Sequence, residues 1–224
     1  MPVMDEFREE REAIRHAPFA KKWEYFKDYY LLRTIIILFV AGILGSLLYT
    51  YISRKNTALY VVLVNFALQQ ESADELVMPF AGENINTRKE AIIIDNSSYI
   101  SADANEINFL KYGYEDEQRL FSMVMTGDID LLISGEDILK RYAQQEWFDD
   151  LSGVLDAEQL RSLEAAGALL YWNDRPIAVR VPTSSKLLTC YVYNGEQGKD
   201  IYAGFPAGSL HRELASSFLD YLRE

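Results

Sequence analysis

Between Thr34 and Ile52 the chain reads TIIILFVAGILGSLLYTYI, nineteen residues without a charge. At about 1.5 Å per residue, such a helix extends for roughly 28 Å, close to the hydrocarbon thickness of a bilayer. A soluble core helix of this length would carry a polar stripe, and this run has none. Trp23, Tyr25, Phe26, Tyr29 and Tyr30 crowd one end, and Tyr49 and Tyr51 the other. Aromatic belts of this kind suit the headgroup level. The expectation is a single membrane-spanning helix over residues 34–52, in contact with the lipid bilayer.

Orientation follows from the flanks. Lys21, Lys22, Lys27 and Arg33 precede the run, whereas Arg54 and Lys55 follow it closely. Positive residues favour the cytoplasmic side, so the N-terminus is expected in the cytoplasm and the C-terminal part outside the cell membrane. A cleaved signal peptide fits less well, because the leader is long and charged and no A-x-A-like site follows the apolar run. The reading is an uncleaved signal anchor: a charged helical leader at 1–33, the span at 34–52, and an extracytoplasmic domain at 57–224. Ala41/Gly45 and Gly42/Ser46 form small-xxx-small pairs that would let helices approach, a pattern also common in monomeric spans.

The 224 residues carry a formal charge of −12, and the part after Asn56 holds 27 acidic against 13 basic side chains. A nucleic-acid binder needs a basic face, so that class is excluded. A single cysteine, Cys190, excludes an internal disulfide and a Cys-rich zinc site. Within LLTCYVY it reads as a small buried residue.

Past the span, apolar runs alternate with helical stripes. ALYVVLVNFAL (58–68) reads as a strand buried on both faces. Ser72-Ala-Asp-Glu75 carries capping-box spacing, with Pro79 expected to limit the helix that follows. EAIIIDNSS and IDLLIS read as further strands; YEDEQRLFSMVM, EDILKRYAQQEWF and LDAEQLRSLEAAG read as helices. RPIAVRVP, KLLTCYVY and DIYAGFP are expected as shorter strands. SLHRELASSFLDYL closes the chain as a helix with Leu210, Leu214, Phe218 and Leu222 on one apolar face. The alternation predicts an α/β layer structure with a mostly parallel sheet.

No catalytic or metal constellation emerges. Asp128 and Asp130 form a D-x-D, but Glu136 and Asp137 lie beyond an intervening strand of about 17 Å, so the two pairs cannot share one ion. NGEQGKD lacks P-loop spacing. The two histidines, His16 and His211, stand in the leader and at the start of the last helix, with no spacing that links either to a nucleophile. Ser and Lys in PTSSK fit a strand-linking turn. Neither a metal nor a cofactor is expected, and the protein is read as a non-enzyme.

RLFSMVMTGDIDLLISGEDILKRYAQQEWFDDLSGVLD resembles a passage of extracellular solute-binding proteins of ABC importers: a helix ending at Gly-Asp, a short apolar strand, and a helix with Tyr-Ala leading to an aromatic residue and Asp-Leu-Ser. YWNDRPIAVRVPTSSKLLTCYVYNGE and GFPAGSLHRELASSFLDYL are similar to later passages of that family, in the family's order. The leader MDEFREER, followed by YFKDYY, resembles those of single-pass proteins of Gram-positive anaerobes. Two lobes close on ligand in the solute-binding family, but residues 194–200 leave no room for a second. The resemblance therefore implies one membrane-anchored three-layer α/β lobe of periplasmic-binding-protein type. It implies a binding or accessory role beside a membrane transporter or envelope protein, with a small molecule as ligand. The alternative is a structural or signalling protein whose lobe docks a protein partner. Ligands of such lobes sit beyond the carboxyl ends of the strands, which here places Asn65, Phe66, Ser97, Ser98, Tyr99, Ser134 and Gly135 at the candidate binding edge.

Overall fold

The computed structural model describes residues 15, 18–29, 31–69, 73–100, 113–195 and 200–224. It divides into two compact units, Met1–Arg54 and Lys55–Glu224. In the first, helix α1 (Phe19–Tyr29) precedes helix α2 (Leu31–Ser53). Leu31–Tyr51 has a mean hydropathy of 2.4 with none of it buried, so it is long and apolar enough to cross a membrane. Trp23 and Phe26 of α1 stack with ring centroids 5.8 Å apart. The leader before residue 15 and His16 lie outside the described residues.

The second unit is a three-layer α/β lobe. Its strands are β1 (Asn56–Val64), β2 (Phe66–Leu68), β3 (Glu90–Ser98), β4 (Leu131–Gly135), β5 (Leu169–Trp172), β6 (Arg175–Val181), β7 (Tyr191–Tyr193) and β8 (Ile201–Gly204). Six form one sheet in the order β3-β1-β4-β8-β6-β5, while β2 and β7 form a separate pair. β1 runs parallel to β3 and β4; β8 is antiparallel to both β4 and β6; β5 is antiparallel to β6. Four of the six strands therefore point the same way, and the expected mostly parallel α/β sheet is present.

Helices cover both faces because the strand residues alternate between them. Leu59, Val61 and Leu63 of β1, with Leu131, Ile133 and Val179, pack on helices α3 (Asp74–Asn84) and α8 (Arg212–Arg223). There Phe80 meets Phe218 edge to face at 4.9 Å. Val62, Val64 and Leu132 pack on the opposite face against Leu120 and Val124 of α4 (Tyr114–Thr126) and Ile138, Leu139 and Tyr142 of α5 (Glu136–Ala143). Gly127 ends α4 with φ +73°, and a Cβ there would lie 2.7 Å from the Gly208 carbonyl oxygen.

Several expectations change. The run 58–68 is two strands, not one, because Asn65 adopts φ +65° and turns the chain out of the main sheet. Pro79 sits inside α3 and does not end it: Leu76, Val77, Phe80 and Ala81 are all buried, and their packing outweighs one lost backbone bond. Ala73 stands at the N-cap position without a side-chain capping bond, and the expected cap Ser72 lies outside the described residues. KLLTCYVY begins as helix α7 (Lys186–Cys190), capped by the Ser185 hydroxyl accepting from the Leu188 amide, and only then becomes β7. YWNDRP is a hairpin, with Asn173 and Asp174 both left-handed between β5 and β6. Leu210 is exposed; Ala215, Phe218, Leu219 and Leu222 carry the buried face of α8.

Candidate functional site

The carboxyl ends of β1 and β4 lie beside the β2–β7 pair, and the Tyr193 side chain fills the crevice between them. Asn65 is its hinge. Its Nδ2 donates to the Ile100 carbonyl at 2.6 Å, its Oδ1 accepts from the Ile100 amide at 2.7 Å, and its own amide donates to the Ser98 carbonyl. An asparagine tolerates the left-handed backbone and supplies both bonds. Beyond it, Phe66 is set opposite Tyr193 by the antiparallel β2–β7 register, with ring centroids 5.1 Å apart. The Asn194 amide donates to the Asn65 carbonyl at 2.7 Å and pins the end of β7.

Tyr193 points across the end of β4. The Ser134 side chain, the Gly135 backbone and the Asn65 side chain are the polar groups around its hydroxyl. A Cβ on Gly135 would lie 2.2 Å from that hydroxyl, and one on Gly195 would lie 2.2 Å from the same end of the ring. The phenol thus fits between two glycines, where a Cβ at either would force it to shift. Burial pushes its pKa up, against the opposing effect of its hydrogen bonds. Ser134 is fully buried and also donates to the Val64 carbonyl at 3.2 Å.

The remaining predicted positions gather around a different side chain. Arg119 of α4 donates to Asp95 at 2.9 Å, to the Ser97 hydroxyl at 2.8 Å and to the Ser98 hydroxyl at 2.6 Å. The Tyr60 hydroxyl donates to the same carboxylate at 3.0 Å. Burial would raise the pKa of Asp95, but the Ser97 hydroxyl and amide, Arg119 and Tyr60 together hold it below the usual value. The Tyr99 amide donates to Asp116 at 2.9 Å while its ring is largely exposed. The strand-end residues thus divide: Asn65, Phe66, Ser134 and Gly135 surround Tyr193, and Ser97 and Ser98 hold Arg119.

At the opposite end of β4, Asp130 is 2 % exposed. It accepts from the Tyr60 amide at 2.9 Å, the Ser209 hydroxyl at 2.8 Å and the His211 amide at 3.3 Å, and His211 Nδ1 lies 3.2 Å away. Serine and histidine both lean on the acid, so the imidazole is not aligned by it onto the serine. The arrangement ties the start of α8 to the sheet. Asp128 is exposed beside it, and the D-x-D does not converge. Among the described residues, no three His, Cys, Asp or Glu side chains come together as a metal group.

A third feature lies on the outer side of α4. Tyr114, Phe121 and Met125 are exposed at helical spacing; Tyr114, Gln118 and Phe121 border an open groove of about 670 Å³ whose far wall is Arg141, Gln145 and Trp147. The Trp147 indole stacks on Tyr142 at 4.0 Å, and Arg141 pairs with Glu117 at 2.6 Å.

Comparison with known proteins is sparse. No family model and no curated protein matches the chain. Among solved structures, an ABC substrate-binding protein from Listeria monocytogenes in complex with cycloalternan matches at 12% identity and a TM-score of 0.31. The match covers 57% of this chain and 29% of that one. No residue of the crevice is carried over from it.

Tyr193, Gly195 and Arg119 were not among the sequence-based candidates. Tyr193 and Gly195 come from the far half of the chain. Their local signal, a Tyr-Asn-Gly turn after an apolar run, marks only a strand end.

Proposed function

We propose that this chain is a single-pass membrane protein, anchored through residues 34–52 with its N-terminus in the cytoplasm. Its extracytoplasmic lobe acts by binding, without catalysis, as an accessory to a membrane transporter or envelope complex. Solute capture and protein docking are the two forms such a role can take. The crevice at the strand ends supports the first in architecture, since that edge is where α/β lobes take ligands.

The observation that carries the choice favours the second. The crevice is filled by the protein's own Tyr193, whereas the α4 face with Phe121 and Met125 is open to solvent at 49% and 66%. Exposed apolar surface beside a groove suits a protein partner. Glu115, Asp128 and Glu146 are exposed near it, so the complementary partner surface is apolar with a basic rim.

A photo-cross-linking residue at position 121, in the full chain in native membranes, tests this. The expected result is a discrete protein adduct that weakens with salt. Adducts of equal yield from position 161, on a different helix, would sink the docking surface.

A further inference from the structure

The crevice at the ends of β1 and β4 is more than a turn region, because its parts are matched to one shape. A flat ring must slide between Gly135 and Gly195, where any Cβ would come within 2.2 Å of it. Phe66 supplies an aromatic wall at 5.1 Å. At the bottom, the Ser134 hydroxyl, the Gly135 backbone and the Asn65 amide group meet a single oxygen. Apolar walls with a few convergent polar groups at the base are the usual construction of a small-ligand site.

We infer that this crevice is a binding site for a para-hydroxyphenyl ring, and that Tyr193 is its intramolecular ligand, leaving the intact lobe closed to solutes at this edge. Two glycines, one aromatic wall and three polar groups select a phenol over an aliphatic or charged group. An anion would meet no cation among the side chains on the ring's hydroxyl, and a sugar would leave most of its hydroxyls unpaired against Phe66. The strap that delivers Tyr193 is held independently of that ring: by the β2–β7 ladder, by Asn194 to Asn65 at 2.7 Å and Gln69 to the Cys190 carbonyl at 2.8 Å, and by Cys190 and Tyr191 buried in the core. Removing the ring therefore leaves the walls of the site in place.

The inference rests on the reading of the strand ends as the lobe's ligand edge, but the two can fail apart. Loss of the position-121 adduct would sink the docking role and leave the crevice untouched. For the crevice, the test is Tyr193→Gly in the full chain in nanodiscs, with phenol as the probe. The expected result is a saturable rise in Tm with millimolar phenol in the variant, a smaller one with toluene, and none in wild type or Tyr193→Phe. A folded variant indifferent to phenol, or a wild type stabilised as strongly as the variant, overturns the inference. If Tyr193→Gly does not fold, Tyr193→Ala is read in the same way: saturable stabilisation by phenol over toluene supports the site, and a folded Tyr193→Ala indifferent to phenol contradicts it.

Discussion

Gly135 has an ordinary extended backbone, φ −69° and ψ 159°, so nothing about its own conformation demands glycine. The demand comes from Tyr193, 58 positions away. Gly135→Ala is expected to destabilise the lobe by about 1–3 kcal/mol through overpacking, read from urea denaturation. In a Tyr193→Gly background the same change should cost far less, so a double-mutant cycle reports the contact directly. Asp130 is a second decisive residue. Asp130→Ala strands the Tyr60 amide and the Ser209 hydroxyl inside the protein, at a cost of about 3 kcal/mol; Asp130→Asn keeps an acceptor and should cost less. Asp95 gives the pH dependence. Its folded pKa lies below the ordinary 3.8, so its stabilisation is fully present above about pH 4 and is lost as pH falls through the folded value. The Ser97 bonds lower it most, so Arg119→Ala should make that acid limb shallower without abolishing it, measured as denaturation midpoints from pH 6 down to pH 2.

Among the elements, helix α6 (Ala157–Ala165) buries none of its residues completely and depends on its start. Asp156 accepts from the Glu158 and Gln159 amides at 2.9 and 2.8 Å, and the Gln159 side-chain oxygen accepts from the Asp156 amide. Asp156→Ala should lower stability by about 0.5–2 kcal/mol, again by denaturation, with faster amide exchange confined to that helix. Elements of this kind were legible in the sequence, because the hydrophobic period and the Gly-Asp stop of α4 are local signals. The elements that read wrongly were decided elsewhere. Asn65 splits an apolar run because Ile100 and Ser98 bond to it, and Pro79 stays helical because Phe80 is packed on Phe218. The run KLLTC becomes helix because Ser185 caps it. The surroundings of Tyr193 were half legible for the same reason. Topology puts ligand edges at strand ends, so Ser134 and Gly135 could be named from their strand, but the ring that occupies them arrives through a strand pairing that no local pattern records.

At the scale of the whole molecule, one chain carries an apolar helix and an acidic α/β lobe. The Asp/Glu-rich lobe with its open apolar helix face matches the contact module proposed above, in a chain whose other unit has one helix long and apolar enough to cross a membrane. The most direct test places a single cysteine at exposed Glu158 of α6 in a Cys190→Ala background and treats intact cells with a membrane-impermeant maleimide. The account predicts labelling without permeabilisation. Labelling only after the membrane is opened would put the lobe in the cytoplasm and contradict it.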